Sequence, residues 1–268
     1  VEFGPLTPGR FVRRLNRFVA LVEVDGGRAL AHVANSGRLR ELLVPGHRVY
    51  LKPVSRPDRR CAYDLALVRA RGTLVSADAR LPNVLLAEAL RDGRIAVLRG
   101  FRRARREVRH GRSRLDFLLE RAGARCLVEA KSVTLVEGGV ALFPDAPTSR
   151  GRRHVEALTR AVRRAPPPGG PAGAERTEAA VVFVVQRGDA DWFCPNGAAD
   201  PAFARALVRA AAAGVRIMAY RCRVTRKGVT LADAIGVRIR SHDGRVNGCD
   251  RGAVARKAGV QPGSMPSL

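Results

Sequence analysis

The segment AAVVFVVQ, residues 179 to 186, runs through seven apolar residues before its first polar one. Side chains along a strand alternate between two faces, so a strand apolar at every position must be covered on both. This run therefore demands a sheet with packing layers on either side. Its neighbours can supply them. LPNVLLAEALRDG (81–93) sets Leu81, Val84, Leu85 and Leu90 at helical spacing and stops at Asp92-Gly93. DAPTSRGRRHVEALTRAVRRA (145–165) is amphipathic, with Val155, Leu158 and Val162 on one side, and PAFARALVRAAAAG (201–214) is a helix ended by Gly214. VRIMAYRCRVT (215–225) is a further strand, and PPPGGPAG (166–173) a Pro/Gly break. Residues 81–240 thus read as helix, three strands, helix, strand, helix, strand: a mixed sheet of αβββαβ order with helices on both faces.

Residues 10 to about 75 read differently. NRFVALVEVDGGRALAHVANSG holds two short strands around Asp25-Gly26-Gly27, a hairpin signal. VPGHRVYLKPV and CAYDLALVRARG give two more. Short strands with regular turns suggest a small β-barrel over residues 1–80, an oligonucleotide-binding (OB) barrel being one option. Residues 241–268 lack apolar periodicity and read as a disordered tail. The fold class expected is α+β or α/β, a barrel followed by a mixed-sheet domain.

Charge narrows the partners. Among 268 residues, 45 are Arg and 4 Lys against 24 acids, a net charge of +25. A GC-rich genome accounts for Arg over Lys, but not for a twofold excess over acids. Such a field favours a polyanion, most simply nucleic acid. Aromatics are only 5%, which argues against a base-stacking platform. No apolar stretch reaches signal-peptide or membrane-span length, so a cytoplasmic protein without membrane contact is expected. Five cysteines, an odd number with no CxxC, read as reduced small hydrophobes without zinc or disulfides.

The chemistry concentrates in SRLDFLLERAGARCLVEAKSVTL, residues 113–135. A hairpin centred between Ala122 and Gly123 sets Glu120 opposite Arg125, and Asp116 opposite Glu129, with Lys131 on the face of Glu129. Opposed carboxylates destabilise a sheet, the more so in an apolar setting, unless something offsets them. A divalent cation does so: Mg²⁺ takes oxygen ligands, often one or two carboxylates plus waters and phosphate. A neighbouring lysine can orient water or stabilise charge on phosphate. The alternative is structural, with both acids paired to Arg114 or Arg112.

These motifs resemble the PD-(D/E)xK nuclease signature, and more narrowly the sugar fermentation stimulation protein A family. Beside the hairpin, the resemblance is carried by NRFVALV, HVANSGRLRELLVPG, LPNVLLAEAL, FPDAPTSRGRRHVEAL and GVRIMAYRC, and spans residues 10 to 240. It implies an OB-type barrel, a nuclease-like domain, DNA binding and a regulatory role in sugar, notably maltose, metabolism. It implies that Asp116 and Glu129 are metal ligands, that Lys131 is the catalytic lysine, and that the family's first-helix acid falls on Glu88. The cation expected is Mg²⁺, with Mn²⁺ as a substitute, and no small-molecule cofactor.

Arg102, Arg103, Arg105 and Arg106, in the basic run FRRARREVR, are expected at DNA, as is Arg114. Arg38 and Arg40, beside the loop Asn35-Ser36-Gly37, suit backbone phosphates. Arg150 and His154, one turn apart near a helix start, suit phosphate too, or are simply solvated. Glu107 can reach the acids or pair with arginine, and Asp145 reads as a turn residue. Two functions fit: metal-assisted phosphodiester hydrolysis, or DNA binding without cleavage. A third reading is structural, with carboxylates that only balance arginine.

Overall fold

The structure, a computed structural model, describes residues 1–55, 59–111, 113–165 and 175–239. The expected tail at 241–268, the break at 166–173 and the salt-bridge option through Arg112 lie outside the described residues.

The first region is a closed barrel. β1 (Thr7–Asn16), β2 (Val19–Val24), β3 (Gly27–His32), β4 (Arg48–Pro53), β5 (Tyr63–Ala70) and β6 (Thr73–Ser76) order as β3-β2-β1-β4-β5-β6. A β3–β5 pairing closes the ring of the first five. The hairpin at Asp25-Gly26 is as expected: Val24 pairs with Gly27, and both turn residues have positive φ, 50° and 76°. Those values fit a two-residue turn whose twist matches the strands. Phe11, Val22, Leu51, Leu65 and Val68 fill the interior.

The second region is a nine-stranded mixed sheet. α1 (Leu81–Arg91) leads to β7 (Arg103–His110), β8 (Ser113–Arg121) and β9 (Ala124–Val133). β10 (Val136–Glu137) and β11 (Val140–Phe143) precede α2 (Ser149–Arg163), which is followed by β12 (Arg176–Val185). β13 (Trp192–Pro195), α3 (Pro201–Ala212), β14 (Arg216–Val224) and β15 (Val229–Val237) complete it. The order is β10-β11-β13-β15-β14-β12-β9-β8-β7. The αβββαβ series is present, and β10, β11, β13 and β15 add to it. The first three are too short for a sequence period to show.

β12 meets the demand of its apolar run. Ala180, Val182 and Val184 enter the core shared with α1 and with Tyr50, Ala66 and Leu67 of the barrel strands. Ala179, Val181, Phe183 and Val185 enter the opposite core under α2 and α3. At about 1.5–3 kcal/mol per buried large side chain, this strand alone is a major source of hydrophobic stabilisation. Thr148 caps α2 by accepting from Gly151 N, and Asp200 caps α3 by accepting from Phe203 N. Cys61, Cys126 and Cys222 are buried free thiols, and burial pushes Cys126 and Cys222 up to about 12. Cys194 is buried too, and Cys249 lies outside the described residues. Among the described residues no helix is long and apolar enough to cross a membrane.

Asp145, read as a turn residue, ties barrel to sheet. Its Oδ2 accepts from Arg38 N at 2.7 Å and Leu39 N at 3.2 Å, across more than a hundred residues of sequence. A side chain at Gly37 would meet the same carboxylate at 2.8 Å. Asp145→Ala is therefore expected to lower the unfolding free energy by about 1–3 kcal/mol, the cost of stranding donors. Urea denaturation checks this; an unchanged midpoint would show that the loop is held by other contacts.

Candidate metal and phosphoryl-transfer site

The β8–β9 turn is Ala122-Gly123, with Gly123 at φ 69°. The ladder runs from Arg121 opposite Ala124, through Glu120 opposite Arg125, to Phe117 opposite Val128. That is the expected register. Beyond Phe117 the backbone pairing stops, and Asp116 replaces it with its side chain. Its Oδ2 accepts from Ala130 N at 2.8 Å, and its Oδ1 accepts from Asn83 Nδ2 of α1 at 2.9 Å. The β7–β8 ladder skips the same position: Arg106 pairs with Phe117 and Val108 with Leu115. Glu107, which falls opposite Asp116, has φ 55°, uncommon for a residue with a Cβ. Leu115 packs into the core under α2, whereas Phe117 and Leu119 pack toward α1. The two-residue alternation thus breaks at Asp116, and the break aims its carboxylate between the layers.

Glu129 is 2% exposed. Its Oε1 accepts from Lys131 Nζ and meets His154 Nδ1 of α2. Its Oε2 is buried without a hydrogen-bond partner among the described residues. Burial pushes Glu129 up, but Lys131 and His154 together outweigh it and hold the carboxyl below its ordinary value. Asp116 is raised, first by burial and then by the charge of Glu129. One acid is thus kept ionised while its neighbour is pressed toward neutrality, as two carboxylates sharing a site require.

Glu88, the acid expected as a further ligand, lies five residues beyond Asn83 on α1, about 140° round the helix, and among the described residues it makes no hydrogen bond with Asp116 or Glu129. His154 departs from expectation. It is buried against Glu129, too deep to greet a phosphate at the surface. Asn83 was missed. A polar side chain in the first turn of the otherwise apolar LPNVLL was the only signal for it.

The expected DNA contacts divide. Arg38, Arg102, Arg103 and Arg150 are exposed. Arg105 pairs with Glu120 at 3.0 Å, Arg114 with Glu107 at 3.5 Å, and Arg106 lies over the Phe117 ring at 5.9 Å. β7, which carries Arg103 to Arg106, is the edge strand, so this basic row borders open solvent. Arg150 precedes His154 by one turn of α2, which places it outward from the buried pair.

The described residues offer no group of three or more His, Cys, Asp or Glu arranged to hold a metal. Two carboxylates, one with a buried oxygen lacking a partner, are the smaller donor set that suits a hydrated Mg²⁺ or Mn²⁺. Asp116 and Glu129 are the residues that would hold it.

Comparison with known proteins agrees with both halves. Residues 12–77 match a family described as the SfsA N-terminal OB domain, and residues 80–228 one described as the sugar fermentation stimulation protein RE domain. The chain is 46% identical over 236 residues to the sugar fermentation stimulation protein homolog of Moorella thermoacetica, covering 87% of this chain and 97% of that one. It is 48% identical over 222 residues to the homolog of Acetivibrio thermocellus, covering 82% and 91%. The structure of Pyrococcus furiosus SfsA in complex with Ca²⁺ matches with a TM-score of 0.79 at 33% identity, over 89% of this chain and 98% of that one.

The carboxyl shifts have opposite consequences for stability. Glu129, lowered in the native state, contributes stability that is present above the unfolded carboxyl value and is lost as pH falls through its native one. Asp116, raised, contributes below the unfolded value and loses that contribution as pH rises through its native one. In metal-free protein, Glu129→Gln is expected to cost about 3 kcal/mol at neutral pH, because the half-buried Lys131 is left without its counter-charge. The deficit should narrow as wild-type Glu129 protonates in acid. Urea unfolding across pH checks this; a deficit independent of pH contradicts the assignment.

Proposed function

The chain belongs to the sugar fermentation stimulation protein family, and from that premise we propose that it is a DNA-binding protein whose Asp116–Glu129 pair takes Mg²⁺ or Mn²⁺ for phosphodiester hydrolysis. The observation that carries the reading is the buried, partnerless Oε2 of Glu129 beside Asp116. An uncompensated carboxylate oxygen in a core is costly, and a cation is the simplest compensation. The Ca²⁺ named with the Pyrococcus furiosus relative supports a divalent cation in this fold.

When bound, the cation would supply Lewis-acid stabilisation of charge on the phosphoryl oxygens. The chain's own groups do the rest. Asn83 and Ala130 N hold both oxygens of Asp116, fixing its carboxylate plane. His154 and Lys131 hold Oε1 of Glu129 and leave Oε2 open. The Lys131 ammonium is positioned to orient the attacking water and to offset charge developing on phosphate. Arg150 and the β7 arginines hold the DNA backbone, and the net charge of +25 draws the duplex in.

One observation favours a second reading, a DNA-binding regulator that does not cleave: Lys131 is tied to Glu129. A cleavage assay with Mg²⁺ or Mn²⁺ on duplex, nicked and single-stranded DNA separates the two. The hydrolytic reading predicts metal-dependent cleavage that Lys131→Ala lowers by about 100-fold or more. Equal behaviour of wild type and variant on every substrate sinks it. Both readings predict DNA affinity falling at least tenfold between roughly 50 and 200 mM salt. No DNA binding at low salt removes both.

A further inference from the structure

Away from the carboxylates, a cavity of about 450 Å³ opens between the C-terminal half of α2 and the strands. Arg160, Arg164, Arg125 and His110 line it, over a floor that includes Ala157 and Ala161. Arg160 and Arg164 stand one helical turn apart, so their guanidinium groups project from the same side of α2. Arg125 enters from the start of β9, and His110 from the end of β7. Alanines on the floor give a recess that long arginines surround rather than fill.

The charges in this recess are poorly offset. Arg125 donates to Thr177 Oγ1 at 3.0 Å and lies 3.5 Å from Glu175, the one acid that lines the cavity among the described residues. Among the described residues, no carboxylate lies within ion-pair distance of Arg160 or Arg164. The convergence registers on His110, whose imidazole is lowered first by burial and then by Arg125, Arg160 and Arg164. Like charges at i and i+4 destabilise a helix, and a recess screens them less than an open surface does. Planar guanidinium groups around a concave site match a tetrahedral oxyanion, which accepts paired N–H bonds from each. The volume exceeds that of a bare phosphate and lies in the range of small-ligand sites, leaving room for what the phosphate is esterified to.

We propose that this cavity is a phosphate-binding site, distinct from the carboxylate cluster, which takes inorganic phosphate or a phosphate ester on Arg125, Arg160 and Arg164. Its place on α2 sets it apart from the candidate metal site: Arg160 lies six residues beyond His154, about 9 Å along the axis. Two sources share this chemistry, a phosphate of the DNA backbone and a free phosphorylated small molecule.

Calorimetric titration of the full chain with inorganic phosphate, at low salt and without added metal, tests the site. One-site binding is expected, weakened about tenfold or more in Arg160→Gln and in Arg164→Gln. Arg163→Gln removes the same charge outside the cavity and is expected to bind as wild type does. A second readout is the His110 imidazole by NMR, whose pKa should rise on adding phosphate as the anion offsets the arginines. Competition by a short duplex assigns the site to the DNA backbone; phosphate binding unchanged by saturating duplex assigns it to a free phosphorylated ligand. The proposal is overturned by absent phosphate binding, by a His110 titration that does not move, or by equal weakening in Arg163→Gln. None of these outcomes depends on whether the carboxylate site cleaves DNA.

Discussion

Glu129 is an ionised carboxylate 2% exposed, on a strand beside one that is apolar on both faces. Much of the second region's local geometry can be read as accommodation of that charge. Lys131 and His154 meet one oxygen, from the same strand and from α2. The other oxygen has no hydrogen-bond partner among the described residues. Asp116 approaches because β8 leaves its ladder with β9 at that residue, and Asn83 on α1 fixes the angle. A sheet designed only for stability would fill this position with an apolar residue, since a well-packed hydrophobic replacement of a buried ion pair is often neutral or better. Retaining the charge points to use.

Much of this was legible in the chain. The run AAVVFVV demanded two covered faces, and β12 has them. The hairpin register followed from Ala122-Gly123, because a side-chain period of two leaves little freedom once the turn is placed. What the register could not show was the ladder's end at Phe117. Backbone pairing there gives way to a side-chain acceptor, a choice made by tertiary contacts with α1. Glu88 illustrates the limit on helices. The resemblance assigns an acid to α1, but its angle about the axis depends on which face α1 buries. His154 looked like a surface group because Arg150, one turn earlier, is one. Burial changes along α2 as it descends onto the sheet. The short strands β11 and β13 are held by partners distant in sequence, and β10 is only two residues long, so no local pattern reports them.

The charge imbalance has a spatial order beyond its sum. Many acids are taken up in ion pairs, the most buried after Glu129 being Glu178, which meets Arg121, Arg176 and Arg216. Arginines also line the β7 edge, the start of α2 and the cavity at its far end. Helix α2 thus meets the buried Glu129 of β9 through His154 and carries surface cations before and after that turn. On the proposed function, a polyanion would lie along the helix with its backbone on these arginines.

The central claim is that Asp116 and the open oxygen of Glu129 hold a divalent cation. The most direct measurement is anomalous diffraction from crystals of this chain grown with Mn²⁺. The account predicts one anomalous peak bonded to Glu129 Oε2 and to Asp116, and its loss in Glu129→Gln. Crystals with no peak there, or with Glu129 Oε2 hydrogen-bonded to protein instead, would contradict it.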